Sequence, residues 1–139
     1  GLWVFIIGVR SAKNSQIPSS PLIDEWIGEQ GKEEEETSEC QKILKTDEKL
    51  LALVAARGEQ ELNRLAVTDK RIVIYSQGKI QNAVSHDYGQ IDKVEGKRNR
   101  PLIHLGEIDI STKESSISFK NVGIEYVDQV VPLISKMKR

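Results

Sequence analysis

Three places in this 139-residue chain carry side chains of the types that do chemistry: the run Ser85-His86-Asp87, the lone Cys40 and the basic run Lys97-Arg98-Asn99-Arg100. Ser, His and Asp are the parts of a nucleophile, a base and the group that orients the base. Consecutive residues of an extended chain point to alternate faces, however, so these three cannot line up. His86 and His104 are the only histidines, and no second His or Cys lies at ligand spacing, which argues against a zinc site. Cys40 cannot form an intrachain disulfide, and nothing near it supplies a base. Its neighbours Glu36 and Glu39 raise a thiol pKa rather than lower it, the setting of an inert cysteine. No glycine-rich phosphate loop of recognised spacing is present. The chain therefore reads as a non-enzyme, with no catalytic, cofactor-binding or metal-ligating residue assigned and no cofactor implied.

The basic run is the better candidate for a contact site. Lys97, Arg98 and Arg100 are assigned as contacts to an anionic ligand or to the acidic face of a partner. At a membrane surface each such cation is worth about 1 kcal/mol. The competing reading is a solvated hairpin tip between two strands. No aromatic residues interleave with the cations, so nucleic acid is not a partner. A second basic pair, Arg57 and Arg64, brackets Glu59 and Glu61, whose charges would repel a phosphate. Both arginines are read as surface cations.

The elements that must position these residues are short strands followed by one helix. Leu65-Ala66-Val67 and Ile72-Val73-Ile74-Tyr75 flank the polar turn Thr68-Asp69-Lys70-Arg71, the pattern of a tight antiparallel hairpin. Before it, Lys49–Ala56 is apolar on both faces and reads as a first strand, although such a run alone also suits a helix. Ser85–Tyr88 reads as a short strand. Ile91–Lys97 alternates poorly, which suggests a bulge or a sheet edge. Glu107–Thr112 alternates cleanly, with Ile108 and Ile110 inward, and Ile117 and Phe119 share one face of a last strand. Val127, Val130, Val131, Ile134 and Met137 then fall at helical spacing, with Asn121 as the N-cap and a bend at Pro132.

Taken in order, several of these stretches carry a resemblance. Glu48-Lys49-Leu50-Leu51 enters the first strand, and Leu65–Ile74 holds the Thr-Asp-Lys-Arg turn. Ile91–Glu95, Gly106–Ile110 and Ile117–Val122 follow, ahead of the closing helix. This series resembles the bacterial pleckstrin-homology-like domains of the short single-domain type, over about Ser38 to Arg139. The resemblance implies a mainly β fold: a barrel of about seven antiparallel strands in two near-orthogonal sheets, capped by a C-terminal α-helix and preceded by a short helix. It implies a scaffold for binding rather than an enzyme class. Such domains are thought to associate through their strand edges, so the implied partner is another protein or a second copy of the chain.

Composition limits the rest. Charged residues make up 29% of the chain, yet the formal net charge is only −1, so no global field favours a polyanion. Residues 1–37 read as an apolar opening plus a polar and acidic linker, and residues 38–139 as the domain. Within the first part, Pro18-Ser19-Ser20-Pro21 marks an extended linker and Glu33–Glu36 a solvated connector. Leu22–Ile27 is a short amphipathic piece that docks on its own core. A helix follows from about Ser38 to Lys45, capped by Thr37 or Ser38. The apolar run Leu2–Val9 has competing readings, as a buried strand, the end of a transmembrane helix or the remnant of a signal segment. The single cysteine fits a reducing compartment. Together these readings give a cytoplasmic binding and assembly module, with tethering at a membrane and contact with anionic lipid as the alternative.

Overall fold

Leu50–Ala55 is buried at every one of its six positions, so no alternation survives in its sequence. Such a strand must be covered on both faces, and the fold is built around that fact. The computed structural model describes residues 20–58, 60–99 and 104–138. The apolar opening, the linker up to Ser19 and Arg100 lie outside the described residues.

The described chain begins with a two-residue strand, β1 (Leu22–Ile23), then α1 (Glu25–Glu29) and α2 (Glu33–Ile43). Four antiparallel strands follow: β2 (Leu50–Ala55), β3 (Arg64–Thr68), β4 (Arg71–Ser76) and β5 (Lys79–Asp87). A tight turn at Tyr88–Gln90 leads into β6 (Ile91–Arg98), β7 (Leu105–Thr112) and β8 (Ser116–Gly123), and α3 (Ile124–Met137) ends the fold. The strands form two sheets, in the orders β1-β2-β3-β4-β5 and β6-β7-β8. β1 is the one parallel member, pairing Leu22 with Ala52 and Ile23 with Leu53. Without it, seven antiparallel strands remain, as the sequence resemblance implies. No helix among the described residues is long and apolar enough to cross a membrane.

Two apolar cores result. Leu51, Val54, Leu65, Val67, Ile72 and Ile74 of the first sheet meet Ile108, Ile110, Phe119 and Val122 of the second, with Val127, Val130 and Ile134 of α3 closing the interior. On the opposite face of the first sheet, Leu53, Ala55, Ala66, Val73 and Tyr75 pack against Ile27 of α1 and Cys40 of α2. Leu22–Ile43 therefore supplies the outer layer of the larger sheet, and the boundary drawn between residues 37 and 38 falls within α2.

Several local expectations are corrected. Glu33–Glu36 is not a solvated connector: it forms the first turn of α2, where four carboxylates favour the positive end of the helix dipole. Thr37 does not cap that helix, and its hydroxyl instead donates to the Glu33 carbonyl. The strand expected at Ser85–Tyr88 extends back to Lys79. Gly123, not Asn121, is the N-cap of α3, and Asn121 takes a left-handed backbone conformation (φ 57°) at the end of β8. Pro132 lies within α3 and is exposed, off the apolar stripe as its spacing implies.

The Thr68-Asp69-Lys70-Arg71 turn is fastened by one carboxylate. Glu48 accepts from Arg71 Nε (2.8 Å), Arg71 Nη2 (3.0 Å), Thr68 Oγ1 (2.7 Å) and the Lys45 N–H (3.0 Å). Thr68 Oγ1 also accepts from the Lys70 and Arg71 N–H groups. Thus the residues that carry the resemblance, Glu48 before the first strand and the Thr-Asp-Lys-Arg turn, meet in space as a structural clasp.

Candidate functional site

Sheet edges expose unpaired N–H and C=O groups, so where a β domain can accept a partner depends on which edges are covered. At the β2 edge, the Asp24 N–H donates to the Leu53 carbonyl (2.9 Å), and Asp24 Oδ2 accepts from the Ala55 N–H (3.1 Å). At the β8 edge the Gln60 amide substitutes for a strand. Its Nε2 donates to the Ser118 carbonyl (3.1 Å) and its Oε1 accepts from the Lys120 N–H (3.0 Å), while the Arg57 N–H donates to Asn121 (2.8 Å). Among the described strands this leaves β5, β6 and the two-residue β1 as edges without a covering group, and β1 is too short to hold a partner strand.

β6 is distinguished by what lies beside it. A groove of about 260 Å³ runs between its edge and α3, lined by Gly96, Lys97 and Arg98 on one side and Val127, Asp128 and Val131 on the other. The hydrogen-bond phase of β6 follows from the Asn99 N–H, which donates to the Leu105 carbonyl (3.0 Å). With Lys97 opposite Glu107 and Glu95 opposite Asp109, those residues bond to β7. The alternate residues Val94, Gly96 and Arg98 therefore direct their backbone groups toward the open edge.

The absence of side chains at two glycines lets α3 lie close to this sheet. A Cβ on Gly96 would sit 2.7 Å from Val127 Cγ1 and 3.3 Å from Val131 Cγ2. One on Gly106 would meet Ile124 Cδ1 at 2.8 Å and the Lys97 carbonyl at 2.5 Å. The helix thus crosses from β7 to β6 with Val127 over both glycines.

Lys97 and Arg98 are the last two residues of β6 rather than part of the turn, and strand alternation sends them to opposite faces. Lys97 Nζ lies 2.9 Å from Asp109 Oδ2 on the outer face, and Arg98 Nη2 lies 3.4 Å from Asp128 Oδ2 on α3. Their side chains stay 61% and 64% exposed. Burial pushes the Asp109 carboxyl upward, but the neighbouring Glu107, Lys97 and Ser118 side chains hold it below its ordinary range. Glu107, which stands beside the Asp109 carboxyl and is partly buried, titrates above the usual range. Lys97 therefore faces a stable anion, and its own pKa is raised, chiefly by its pairing with Asp109.

The remaining candidates fall elsewhere. His86 lies on β5 opposite Ile72, and His104 is exposed ahead of β7, where its carbonyl accepts from the Ile124 N–H. No group of three or more His, Cys, Asp or Glu side chains among the described residues is placed to hold a metal. Cys40 is fully buried, and burial, with added repulsion from Glu39 and Glu48, pushes its thiol up to about 11 despite the opposing influence of the Tyr75 side chain. Arg64 is not a surface cation: it is buried, paired with Glu36, and its guanidinium lies 5.7 Å from the Trp26 ring. Arg57 approaches the same ring at 5.8 Å. The groove lining on α3 could not be read from sequence as a site, because Val127 and Val131 belong to the same helical stripe as the core.

Two sheets of seven antiparallel strands plus the short parallel β1, one covered by N-terminal helices and the other crossed by a C-terminal helix, define a PH-like domain. Residues 44–136 match the bacterial PH domain family, and the chain belongs to that family. Similar solved structures include a DUF1696 family protein with a pleckstrin-homology domain from Shewanella loihica PV-4. It is 15% identical with a TM-score of 0.48, the match covering 73% of this chain and 95% of that one. A pleckstrin homology domain from Shewanella amazonensis SB2B is 11% identical with a TM-score of 0.49, over 86% and 94% of the two chains. The N-terminal PH domain of Vps36 is 16% identical with a TM-score of 0.46, over 68% and 84%. No curated protein matches the chain in sequence.

Proposed function

We propose that this domain is a non-catalytic binding and assembly module that docks a protein chain on the open edge of β6, beside α3. The observation that carries the reading is the coincidence of two features. The outward backbone groups of Val94, Gly96 and Arg98 offer hydrogen bonds for an added strand. The groove against Val127 and Val131 offers a place for that strand's side chains. Main-chain bonds would supply affinity, and the groove would select side chains.

Lys97 and Arg98 fit this role as rim contacts. An anionic lipid headgroup is the weaker occupant, because Lys97 and Arg98 diverge to opposite faces of the strand and do not converge on one headgroup. A photo-crosslinking residue at position 98, compared with one at Lys120 on the covered edge of β8, tests the reading. Discrete protein adducts from position 98 alone are expected. The same adducts from both positions, or none from position 98, would contradict it.

A further inference from the structure

We infer that the occupant of the β6 groove is an extended, antiparallel peptide of a partner protein, with outward charges in the order acid, base, acid and apolar residues between them. This rests on the strand-addition reading above and adds the partner's chemistry to it.

The outer face of β6 presents Lys93, Glu95 and Lys97, a plus, minus, plus series at every second residue. Lys93 Nζ lies 3.1 Å from Glu95 Oε2, and both side chains are at least half exposed. Because Val94, Gly96 and Arg98 offer the backbone bonds, an added strand meets Lys93, Glu95 and Lys97 at non-hydrogen-bonded pairs. Opposed side chains come closest at such pairs, so cross-strand charge is felt most there. A complementary strand places a carboxylate opposite Lys93, a cation opposite Glu95 and a carboxylate opposite Lys97. Its intervening residues, opposite Val94 and Gly96, turn inward toward Val127 and Val131. Exposed pairs of this kind fix register and exclude wrong partners more than they add affinity.

The geometry disfavours a second copy of the chain at this edge. Edge-to-edge pairing at Gly96 brings the second copy's α3 to the same face, where this chain's α3 already crosses from Gly106 to Gly96. A peptide without such a helix has no such conflict.

The test uses the isotope-labelled chain with two capped pentapeptides, Glu-Val-Lys-Val-Glu and its charge reversal Lys-Val-Glu-Val-Lys, and a third, Glu-Val-Glu-Val-Glu, for the variant below, each titrated to millimolar concentration. The first is expected to shift the amide signals of Val94, Gly96 and Arg98 and to bind about tenfold more tightly than the second. The Glu95→Lys variant is expected to prefer Glu-Val-Glu-Val-Glu over Glu-Val-Lys-Val-Glu by about threefold. Equal binding of both charge orders at β6 would overturn this inference while leaving strand addition standing. Failure of both peptides to shift β6 would overturn it together with the strand-addition reading. Concentration-dependent changes at β6 without peptide would assign the edge to a second copy and also overturn it.

Discussion

Arg64 and Glu36 form a bidentate ion pair inside the protein, with Arg64 Nε 2.6 Å from Glu36 Oε1 and Nη2 2.8 Å from Oε2. Both side chains are almost fully buried, at 2% and 1% exposure. The pair joins α2 to β3, and Gln77 Oε1 takes a further guanidinium bond at 3.0 Å. Removing one partner strands the other charge in a poorly solvated place. Glu36→Gln is therefore expected to cost about 3 kcal/mol in urea denaturation, and Glu36→Leu combined with Arg64→Met to recover most of that. Equal losses for the single and the double substitution would contradict the assignment.

Glu48 gives the fold an acid-sensitive clasp. Burial would raise its pKa, but hydrogen bonds from Arg71, Thr68 and the Lys45 N–H outweigh that and lower it from 4.5 to about 2. A carboxyl held lower in the folded state stabilises fully above its unfolded pKa and progressively less as pH falls through the folded value. The contribution, about 2–3 kcal/mol, should therefore disappear between roughly pH 4.5 and pH 2. Denaturation midpoints measured across that window should slope less in Glu48→Gln than in the parent chain. Identical slopes would remove Glu48 from the account.

Cys40 should be chemically silent while the chain is folded. Its thiol is buried and pushed up to about 11, so very little thiolate forms at pH 8. Alkylation by iodoacetamide at that pH is expected only in denaturant. Rapid labelling of the native protein would show that the α2 layer opens readily from the sheet.

The two glycines under α3 should respond differently to alanine. At Gly106 the added methyl meets a backbone carbonyl at 2.5 Å, which cannot move without the strand. At Gly96 it meets the Val127 side chain at 2.7 Å. Both substitutions are expected to cost about 1–3 kcal/mol in thermal melts. Val127→Ala should relieve much of the loss at Gly96 and little of it at Gly106. Equal rescue at both sites would mean that α3 lies differently over β6 and β7.

The parts of the fold that were legible in sequence are those with one buried face. Ile108 and Ile110 alternate with Glu107 and Asp109, and Val127, Val130 and Ile134 mark a helix, because one side of each element meets solvent. β2 was ambiguous for the opposite reason: with both faces covered, Leu50–Ala55 has no period to read. Glu36 and Arg64 were misread because a charge run and a lone arginine are usually solvated, and only the tertiary fold brings them together. The clasp of Glu48, Thr68 and Arg71 was present in the residues that carried the family resemblance, yet its bonds depend on the first sheet. The groove was half legible. Lys97 and Arg98 were singled out for their charge, whereas the open edge at Val94, Gly96 and Arg98 depends on strand register, which sequence alone does not fix.

Amide hydrogen exchange along β6, residue by residue, tests the central claim most directly. In the free chain, Lys93, Glu95 and Lys97 should exchange slowly through their bonds to β7, and Val94, Gly96 and Arg98 quickly. A docked protein chain should slow the second set and leave the first unchanged. Uniform protection of β6 in the free chain, or bound partner with no change at Val94, Gly96 and Arg98, would contradict the account.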